Sequence, residues 1–517
     1  MNMLENAAGR LVPDEINGTA AVPFKGVGKH RPQGGKYSPP IPTCIDYPDD
    51  NNKVTGSLRE ALEKCGLRDG MTISTHHHLR DGDLVSNKIF DIASAMGIKG
   101  LTWLPSASFP CNDPVIEYLE DGTIDHIEGS MNGPLGRFVS EGRMKGMAVL
   151  RSHGGRVQAI QDGEVKIDIA VLAAPAADSF GNARGTGGPS ATGVLGYAKA
   201  DYLYADKVIV VTDNLIDLPC FPMEIEGNYV DYVVVVDKIG IPEKIVSGTT
   251  QITKSPDRLL IAELTASFLE KSGLLHDGAT MQAGAGGTSL AIAVYAHEIL
   301  RKNGWKFRFG FGGSTKYMVK MLEEGQMGYI LDAQAFDLDS VRSIEANANH
   351  IPYPVFNAYN YHSKGNLTAM MDIMILGATE IDVNFNGNVV THSDGLLLHG
   401  IGGWQNCLHA RNVIIPVPLF RDRIPVIVDR VTTLCGPGEL IDVIITERGI
   451  AINPGRKDLI DSVKGKGLPL MTIQELKDMA EKMCGKPEKA AVDERVVAAI
   501  KWVDGTVIDA VRKVKNK

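Results

Sequence analysis

The chain has 517 residues, of which 44% are hydrophobic and 22% are charged, a composition typical of globular proteins that excludes a fibrous or wholly disordered chain. Its net charge of −9 argues against nucleic-acid binding, which usually needs a basic surface. The 7 cysteines show no C-x-x-C spacing, which argues against a zinc ribbon, a redox motif or a disulfide framework.

The sequence carries no signal for export or for membrane insertion. It contains no run of 18 or more apolar residues, and residues 1–6 lack a charged segment followed by an apolar core. We therefore expect a cytoplasmic protein that makes no contact with a membrane.

The predicted elements begin after an irregular N-terminal segment. Residues 7–53 are rich in Pro, Gly and charge, so we expect residues 1–54 to form an extended arm. From Leu58 onward, short apolar runs alternate with segments of helix length, which predicts a parallel sheet buried on both faces. The runs of strand length are residues 71–74, 101–104, 168–173, 207–212 and 232–237. Helices are expected at residues 84–96, at 256–272 with Gly273 at the end, at 290–301 and at 473–483, before a last short unit at 496–514.

The two halves of the chain repeat each other. Residues 371–382 align with residues 167–178 without a gap, and further segments pair in the same order at an offset of about 205 residues. These further pairs are 63–70 with 270–278, 181–182 with 387–388, 207–210 with 412–415 and 230–233 with 441–444. A period this long indicates two fused copies of one domain. We predict an α/β fold of two tandem homologous open domains with mostly parallel sheets, residues 55–250 and 251–517, with a ligand cleft between them.

A glycine-rich loop opens the helix predicted at residues 290–301. Gly284, Gly286 and Gly287 would leave backbone N–H groups free to face an anion or oxyanion at a helix N-terminus. A tight turn without a ligand remains the alternative. The dinucleotide pattern G-x-G-x-x-G is not matched, which argues against a nucleotide site.

The equivalent loop of the first copy carries basic side chains in place of glycines. His76, His77 and Arg80 lie there, and His153 and Arg156 lie beside two glycines further along. Arginine binds carboxylates in a bidentate manner and protonated histidine adds donors, so both loops are candidates for anion binding. The alternatives are a solvated loop or a fortuitous metal-like run of histidines at residues 76–78, and a surface turn at residues 152–156.

Polar residues of the second copy form a third group of candidates. Asn384 and Asn388 lie in an amide-rich turn after a buried strand, and Ser393 lies in the next glycine loop. Glu380 stands where the first copy has Ala176, so the shared scaffold does not require it. Catalysis and a buried ion pair are both open for this carboxylate.

Several catalytic motifs are missing from the sequence. It contains no G-x-S-x-G elbow, no H-E-x-x-H pair and no Walker loop, so serine-hydrolase, zincin and P-loop chemistry lack support. We predict no metal site.

Together, residues 280–287, 378–382 and 393–403 resemble the coenzyme A transferase superfamily. A wider match, from about residue 55 to 517, resembles the family of citrate lyase alpha subunits, which are citrate:acyl-carrier transferases. In covalent relatives a G-I-H-(S/T)-E-M stretch supplies a nucleophilic glutamate, and here Ser314 stands at that place. Trp404 likewise stands where a glutamine commonly follows the G-x-G-G loop of those relatives.

The resemblance implies a transfer without a glutamyl-enzyme. A citrate carboxylate would attack the acetyl thioester to give a mixed anhydride and a thiolate, and the thiolate would then attack the citryl carbonyl and release acetate. The expected oxyanion donors are the backbone N–H groups of Gly286, Gly287, Gly402 and Gly403, and one such donor is worth ~2.7–4 kcal/mol. We expect Glu380 to belong to the same catalytic group.

The resemblance also suggests binding roles. The expected citrate ligands are His76, His77, Arg80, His153, Arg156, Asn384, Asn388 and Ser393. The expected contacts to the acyl carrier's arm are Gly284, Gly312, Gly313 and Ser314.

No tightly bound cofactor is expected, because acetyl-CoA or the CoA-like prosthetic group of a carrier acts as substrate. The implied partners are the acyl-carrier (gamma) subunit and the citryl-cleaving (beta) subunit, and we expect a homo-oligomer. Three alternatives stay open: a citramalate lyase alpha subunit, a free acetyl-CoA transferase or hydrolase, and a non-catalytic ligand-sensing protein of the same fold.

Overall fold

The structure is a computed structural model that describes residues 2–30, 50–246, 251–284, 286–364 and 366–515. Much of the predicted arm, residue Ala285 of the glycine loop and the domain boundary near residue 250 lie outside the described residues. No described helix is both long enough and apolar enough to span a membrane.

The first half is built around a seven-stranded sheet in which all neighbouring strands run parallel. Its strands are, in spatial order, Val54–Thr55, Tyr232–Val235, Lys207–Thr212, Ile169–Ala173, Thr72–Thr75, Leu101–Pro105 and Ile124–Ile127. The central strand Ile169–Ala173 is buried along its whole length. An apolar run buried on both faces is what helices on both sides of a parallel sheet require.

The second half contains an eight-stranded sheet. Its strands are, in spatial order, His350–Pro352, Met327–Ala335, Phe307–Ser314, Thr280–Ala283, Ile373–Ile375, Val413–Pro416, Val443–Ile445 and Ile450–Ile452. Only the last strand is antiparallel to its neighbour. The six strands from Met327–Ala335 to Val443–Ile445 have the same topology as the six strands of the first sheet from Ile124–Ile127 to Tyr232–Val235. In both sets the third strand in the chain lies at one edge, followed in space by the second, first, fourth, fifth and sixth. The predicted α/β class with mostly parallel sheets is therefore confirmed.

Helices cover both sheets. In the first half they are Leu58–Lys64, Ser86–Ala95, Val115–Glu120, Gly133–Ser140, His153–Gln161 and Ala198–Tyr204. In the second half they are Pro256–Ser272, Gly287–Asn303, Lys316–Glu323, Leu338–Ala346, Val355–Ala358, Trp404–Cys407, Lys457–Val463 and Ile473–Cys484. The helix Pro256–Ser272 ends at Gly273, whose φ of 82° is a left-handed conformation that glycine adopts without strain.

Short strands complete the described fold. Four two-stranded sheets pair Met3–Glu5 with Leu11–Pro13, Glu15–Ile16 with Thr19–Ala20, Ala176–Ala177 with Ala183–Arg184, and Phe420–Arg421 with Ile424–Pro425. There are also two three-stranded sheets in the described part of the chain. One contains Gly387–Asn388, Glu380–Asp382 and Ile427–Val428, and the other contains Val507–Val514, Val492–Lys501 and Ala148–Leu150.

The C-terminal residues connect the two halves. The strand Val492–Lys501 runs parallel to Ala148–Leu150 of the first half, with Ala498 opposite Ala148. The strands Val492–Lys501 and Val507–Val514 pair antiparallel and form the C-terminal hairpin. The described part of the N-terminal segment contacts this hairpin, because the Asn6 side-chain amide donates to the carbonyl oxygen of Ile508 at 2.7 Å. The sequence grouped the C-terminal unit with the second half, and the structure pairs its strand Val492–Lys501 with Ala148–Leu150 of the first half in a separate three-stranded sheet.

The halves also share one hydrophobic core. A single buried cluster contains Trp103 and Ile169 of the first half together with Phe311 and Ile415 of the second. The carboxyl ends of the two sheets are thereby held facing each other, which fixes the walls of a cleft between them.

Candidate active site

A cavity of about 830 Å³ lies between the carboxyl ends of strands from both sheets. The first half contributes His77, Arg80, His153 and Tyr197, and the second half contributes three glycine segments, 284–286, 312–313 and 400–403, of which Ala285 is not described. A cleft of this size between two halves is the usual place for a small-molecule site.

Arg80 is a buried cation at the wall of this cavity. Its guanidinium lies 4.8 Å from the ring centroids of both Phe109 and Phe336, and its side chain is only 9% exposed. It forms no ion pair with a described residue, and its Nε has no hydrogen-bond partner among them. Burial lowers the pKa of Arg80 to about 10, so the guanidinium remains charged at neutral pH.

The backbone at Arg80 is also unusual. Its φ of 51° lies in the left-handed region, which costs a non-glycine residue about 1–3 kcal/mol and is commonest at functional sites. An uncompensated buried cation in a strained backbone is the arrangement expected of an anion anchor.

Two histidines and a tyrosine lie beside Arg80. The rings of His77 and His153 stack at 5.5 Å, and the ring of Tyr197 lies 4.4 Å from that of His77. The Tyr197 hydroxyl is 3.3 Å from Nε2 of His153 and 3.4 Å from Oε1 of Gln334. Ser106 Oγ lies 2.7 Å from Nδ1 of His77 and orients that ring.

Both imidazoles are neutral in the free protein. Burial, reinforced by nearby positive groups, lowers the pKa of His77 well below its ordinary value. Burial and the charge of Arg156 lower the pKa of His153 to about 3. The neutral imidazoles leave the Arg80 guanidinium as the charged group of this wall of the cavity, and an anion can neutralise it.

His76 and Arg156, predicted as citrate ligands, lie outside the residues that line the cavity. Arg156 donates two hydrogen bonds of 2.7 Å to the carboxylate of Asp201, and Nε2 of His76 is 3.3 Å from the same group. Burial alone would raise the pKa of Asp201, but the charges of Arg156 and His76 lower it. Both side chains are therefore engaged with Asp201 in a buried network rather than in the cavity.

Of the glycines predicted to contact a ligand, all but one line the cavity. Gly284, Gly286, Gly312, Gly313, Gly402 and Gly403 line the cavity. Gly287 begins the helix behind them and does not line the cavity. The carbonyl oxygen of Gly402 accepts a 2.8 Å hydrogen bond from the N–H of His153, which ties the loop to the first half.

Ser314, which stands where covalent relatives carry glutamate, is fully buried away from the cavity. Its hydroxyl donates a 2.6 Å hydrogen bond to Oδ2 of Asp332. This side chain is therefore engaged in the second sheet rather than in the site.

Glu380 lines the cavity, but hydrogen bonds hold both of its oxygens. Oε2 accepts from Nδ2 of Asn388 at 2.9 Å and from the N–H of Thr432 at 2.7 Å, and Oε1 accepts from the Thr432 hydroxyl at 2.9 Å. Asn388 is thus a partner of Glu380 and does not line the cavity. Asn384 lies on an exposed turn outside the cavity, whereas Ser393 lies at its wall.

The sequence did not single out Tyr197, Gln334, Phe336 or Arg421, all of which line the cavity. Arg421 donates to the carbonyl oxygens of Ala378 and Thr379 at 2.7 and 3.0 Å, which braces the chain just before Glu380. No motif marks these residues, and none of them lies in the repeated segments, so no signal in the sequence pointed to them. No group of three or more His, Cys, Asp or Glu side chains that could hold a metal occurs among the described residues.

Comparison with known proteins assigns the family. A family model described as citrate lyase, alpha subunit, matches residues 51–514. The chain belongs to the citrate lyase alpha subunit family. The citrate lyase alpha chain of Klebsiella pneumoniae is 42% identical over 466 residues, which cover 90% of this chain and 92% of that protein. The resemblance found in the sequence is therefore confirmed.

Solved structures agree with this family. A Streptococcus mutans protein described as the alpha subunit of citrate lyase, in complex with citrate, is 40% identical with a TM-score of 0.92, covering 99% of this chain and 100% of that one. A malonate decarboxylase alpha subunit from Acinetobacter baumannii is 17% identical with a TM-score of 0.59, covering 80% and 84% of the two chains. The latter likeness shows a shared fold alone.

Proposed function

We propose that the chain is the transferase subunit of a citrate lyase, exchanging acetyl for citryl on the thioester of an acyl-carrier prosthetic group or of coenzyme A. The observation that carries the proposal is Arg80, a buried cation without an ionic partner among the described residues, at the wall of a cavity in a member of this family. Citrate carries nearly three negative charges at neutral pH, and a guanidinium can hold one carboxylate in a bidentate manner.

The preferred substrate is citrate. The Streptococcus mutans relative was crystallised with citrate, and citramalate differs from citrate by one carboxylate. Tyr197, His77 and His153 supply donors and acceptors next to Arg80 for the hydroxyl and the remaining carboxylates. A site that binds a substrate carboxylate through charged hydrogen bonds discriminates strongly against an analogue that lacks the group.

The reaction proceeds by direct attack. Ser314 has no carboxylate, and both carboxylate oxygens of Glu380 accept hydrogen bonds. Neither residue therefore supplies a free carboxylate nucleophile. A citrate carboxylate oxygen bonds to the thioester carbonyl carbon, the C–S bond breaks, and acetyl-citryl anhydride and a thiolate form. The thiolate then bonds to the citryl carbonyl carbon, the anhydride C–O bond breaks, and acetate leaves.

Both steps pass through oxyanions. Backbone N–H groups of Gly286, Gly402 and Gly403 are the proposed donors, because these glycines line the cavity and carry no side chain that would block a ligand.

The proposed partners follow from the family. An alpha chain implies further subunits, and the chemistry needs a carrier of the acyl thioester and an enzyme that cleaves the citryl thioester product. The prosthetic group of the carrier acts as substrate, so the chain itself holds no resident cofactor in this proposal.

The test measures acetate release and citryl-thioester formation from acetyl-CoA or acetylated carrier, with citrate and the full chain. We expect the two products in equal amounts, and we expect Arg80→Ala to weaken citrate use by about 30-fold or more, since an anchoring charge contact is worth ~2–5 kcal/mol. Arg68→Ala, at an exposed arginine, is the matched control and should behave as the original chain. If neither product forms with either acyl donor, the transferase proposal is wrong and ligand sensing becomes the better explanation.

A further inference from the structure

A glycine-rich loop carries Tyr197 into the cavity. Five of the twelve residues 185–196 are glycine, and Tyr197 follows directly. A chain with so many glycines loses much conformational entropy when it is ordered, so contacts must hold it in one conformation. The loop passes over the second half, where a Cβ on Gly196 would lie 2.0 Å from the carbonyl oxygen of Ala333.

The carboxylate of Glu224 holds both ends of this loop. Its Oε1 accepts a 2.9 Å hydrogen bond from the N–H of Gly185, and its Oε2 accepts a 2.7 Å bond from the N–H of Leu195. Within the described part of the chain, Glu224 forms no ion pair. A carboxylate without a cation, bridging two backbone donors ten positions apart, closes the loop like a staple.

We infer that Glu224 is a positioning residue for the transferase reaction, acting through the loop 185–196 on Tyr197. The inference rests on the proposed function. Leu195 is two residues from Tyr197, so a shift of the stapled end moves the phenol. The Tyr197 hydroxyl lies 3.3 Å from Nε2 of His153 and 3.4 Å from Oε1 of Gln334. A movement of the phenol away from its present place would lengthen both contacts.

Glu224 also has access to solvent protons. It lines a second cavity of about 590 Å³ between the halves, and burial raises its pKa to about 7, against the two backbone hydrogen bonds. The titratable groups around it are Arg184, Lys199, Tyr202, Cys220, Glu226, Asp332 and Glu345. A protonated carboxyl has one oxygen that donates and no longer accepts well, so one end of the loop is released as the pH falls through about 7.

The first test is a double-mutant cycle on the rate of citryl-thioester formation by the full chain. We expect Glu224→Gln to lower the rate by roughly 10- to 100-fold, the cost of a misplaced group. In the Tyr197→Phe background, the same change should cost no more than about 2-fold, because the residues act in one unit. Glu226→Gln, which lines the same cavity and makes no side-chain hydrogen bond to the described loop, is the matched control. An equal loss in both backgrounds, or no loss, overturns the inference.

Two further measurements distinguish a local effect on the loop from a general loss of folding. The rate of the original chain should fall as the pH drops below about 7, and this limb should be missing in Tyr197→Phe; its persistence there overturns the inference. Hydrogen exchange of residues 185–197 in Glu224→Gln should be faster than in the original chain, with other regions unchanged. Hydrogen exchange measures the effect of Glu224 on the loop without measuring activity. If the chain is inactive with citrate, the proposed function is wrong, and the exchange result alone decides whether Glu224 holds the loop.

Discussion

The backbone N–H of His153 donates a 2.8 Å hydrogen bond to the carbonyl oxygen of Gly402. His153 begins a helix of the first half and Gly402 lies in a glycine loop of the second, so this bond joins the two walls of the cavity. It also places the imidazole of His153 at the glycine loop proposed to stabilise the oxyanions. Positioned backbone groups of this kind act without reorganisation during the reaction.

Citrate binding should be coupled to proton uptake. Burial lowers the pKa values of His77 and of His153, the latter to about 3, and a bound trianion would raise both. We expect citrate to bind more tightly as the pH falls from about 7 to about 6, with protons taken up. Calorimetry in two buffers of different ionisation enthalpy measures this uptake, and His153→Gln should reduce it. Binding without any uptake would contradict an anion next to these rings.

The same shifts predict how the free protein responds to acid. A histidine whose folded-state pKa lies below its unfolded value of about 6.5 takes up protons on unfolding, so stability falls as the pH drops below about 6.5. We expect saturating citrate to oppose this loss. Thermal unfolding at several pH values, with and without citrate, checks the prediction, and an unchanged response to citrate would count against it.

Arg156→Ala should destabilise the fold rather than act on substrate alone. The substitution leaves the carboxylate of Asp201 buried without its main partner, which costs about 3–5 kcal/mol. Urea unfolding measures the loss. Arg143→Ala, which removes an exposed ion pair with Glu120, is the matched control and should cost about 0–1 kcal/mol. Similar losses for the two variants would show that the buried pair contributes no more than a surface one.

Gly313→Ala should weaken citrate binding through Phe336. A Cβ at this position would lie 1.8 Å from Cε2 of Phe336, the ring that flanks the Arg80 guanidinium. The ring must move, and overpacking of this kind costs about 1–3 kcal/mol. The dissociation constant of citrate reports the change, and Gly455→Ala, at an exposed turn, is the control. An unaltered affinity in Gly313→Ala would mean that Phe336 does not set the place of Arg80.

Cys407 lines the cavity but should not take part in acyl transfer. Burial raises the pKa of its thiol to about 12, and its Sγ lies 3.6 Å from the Tyr359 hydroxyl. The thiolate is the nucleophilic form, so this thiol is inert near pH 7. We expect Cys407→Ser to keep the transfer rate within about 3-fold. Loss of activity in folded Cys407→Ser and Cys407→Ala proteins would contradict this.

Much of the fold is determined by local sequence. The strand Lys207–Thr212 and the helix Pro256–Ser272 have the bounds that the pattern predicted, because apolar runs, an N-terminal proline and a terminal glycine act within a few residues. The internal repeat of about 205 residues predicted the two-sheet arrangement, since segments with the same pattern of apolar residues form the same elements. The family, too, was recognisable from motifs spread over the chain.

The site was only partly determined in this way. His76 and His77 are neighbours in sequence, yet only His77 lines the cavity, whereas His76 lies by Asp201, 125 positions away. Arg156 was predicted as an anion ligand from its residue type, but its charge is taken by that same aspartate. Residue type gives the chemistry that a side chain can do, and long-range partners decide whether that chemistry is free for a ligand.

Tyr197, Phe336 and the C-terminal hairpin show the same limit. No periodicity marks the first two as cavity residues, and nothing in residues 496–514 indicates that they pair with Ala148–Leu150 of the first half. The sequence by itself determined the elements, the repeat and the family, because these depend on short-range patterns and on shared motifs. Only the tertiary structure decided which charges are paired and which face the cleft, because that depends on contacts between segments that lie far apart in the chain.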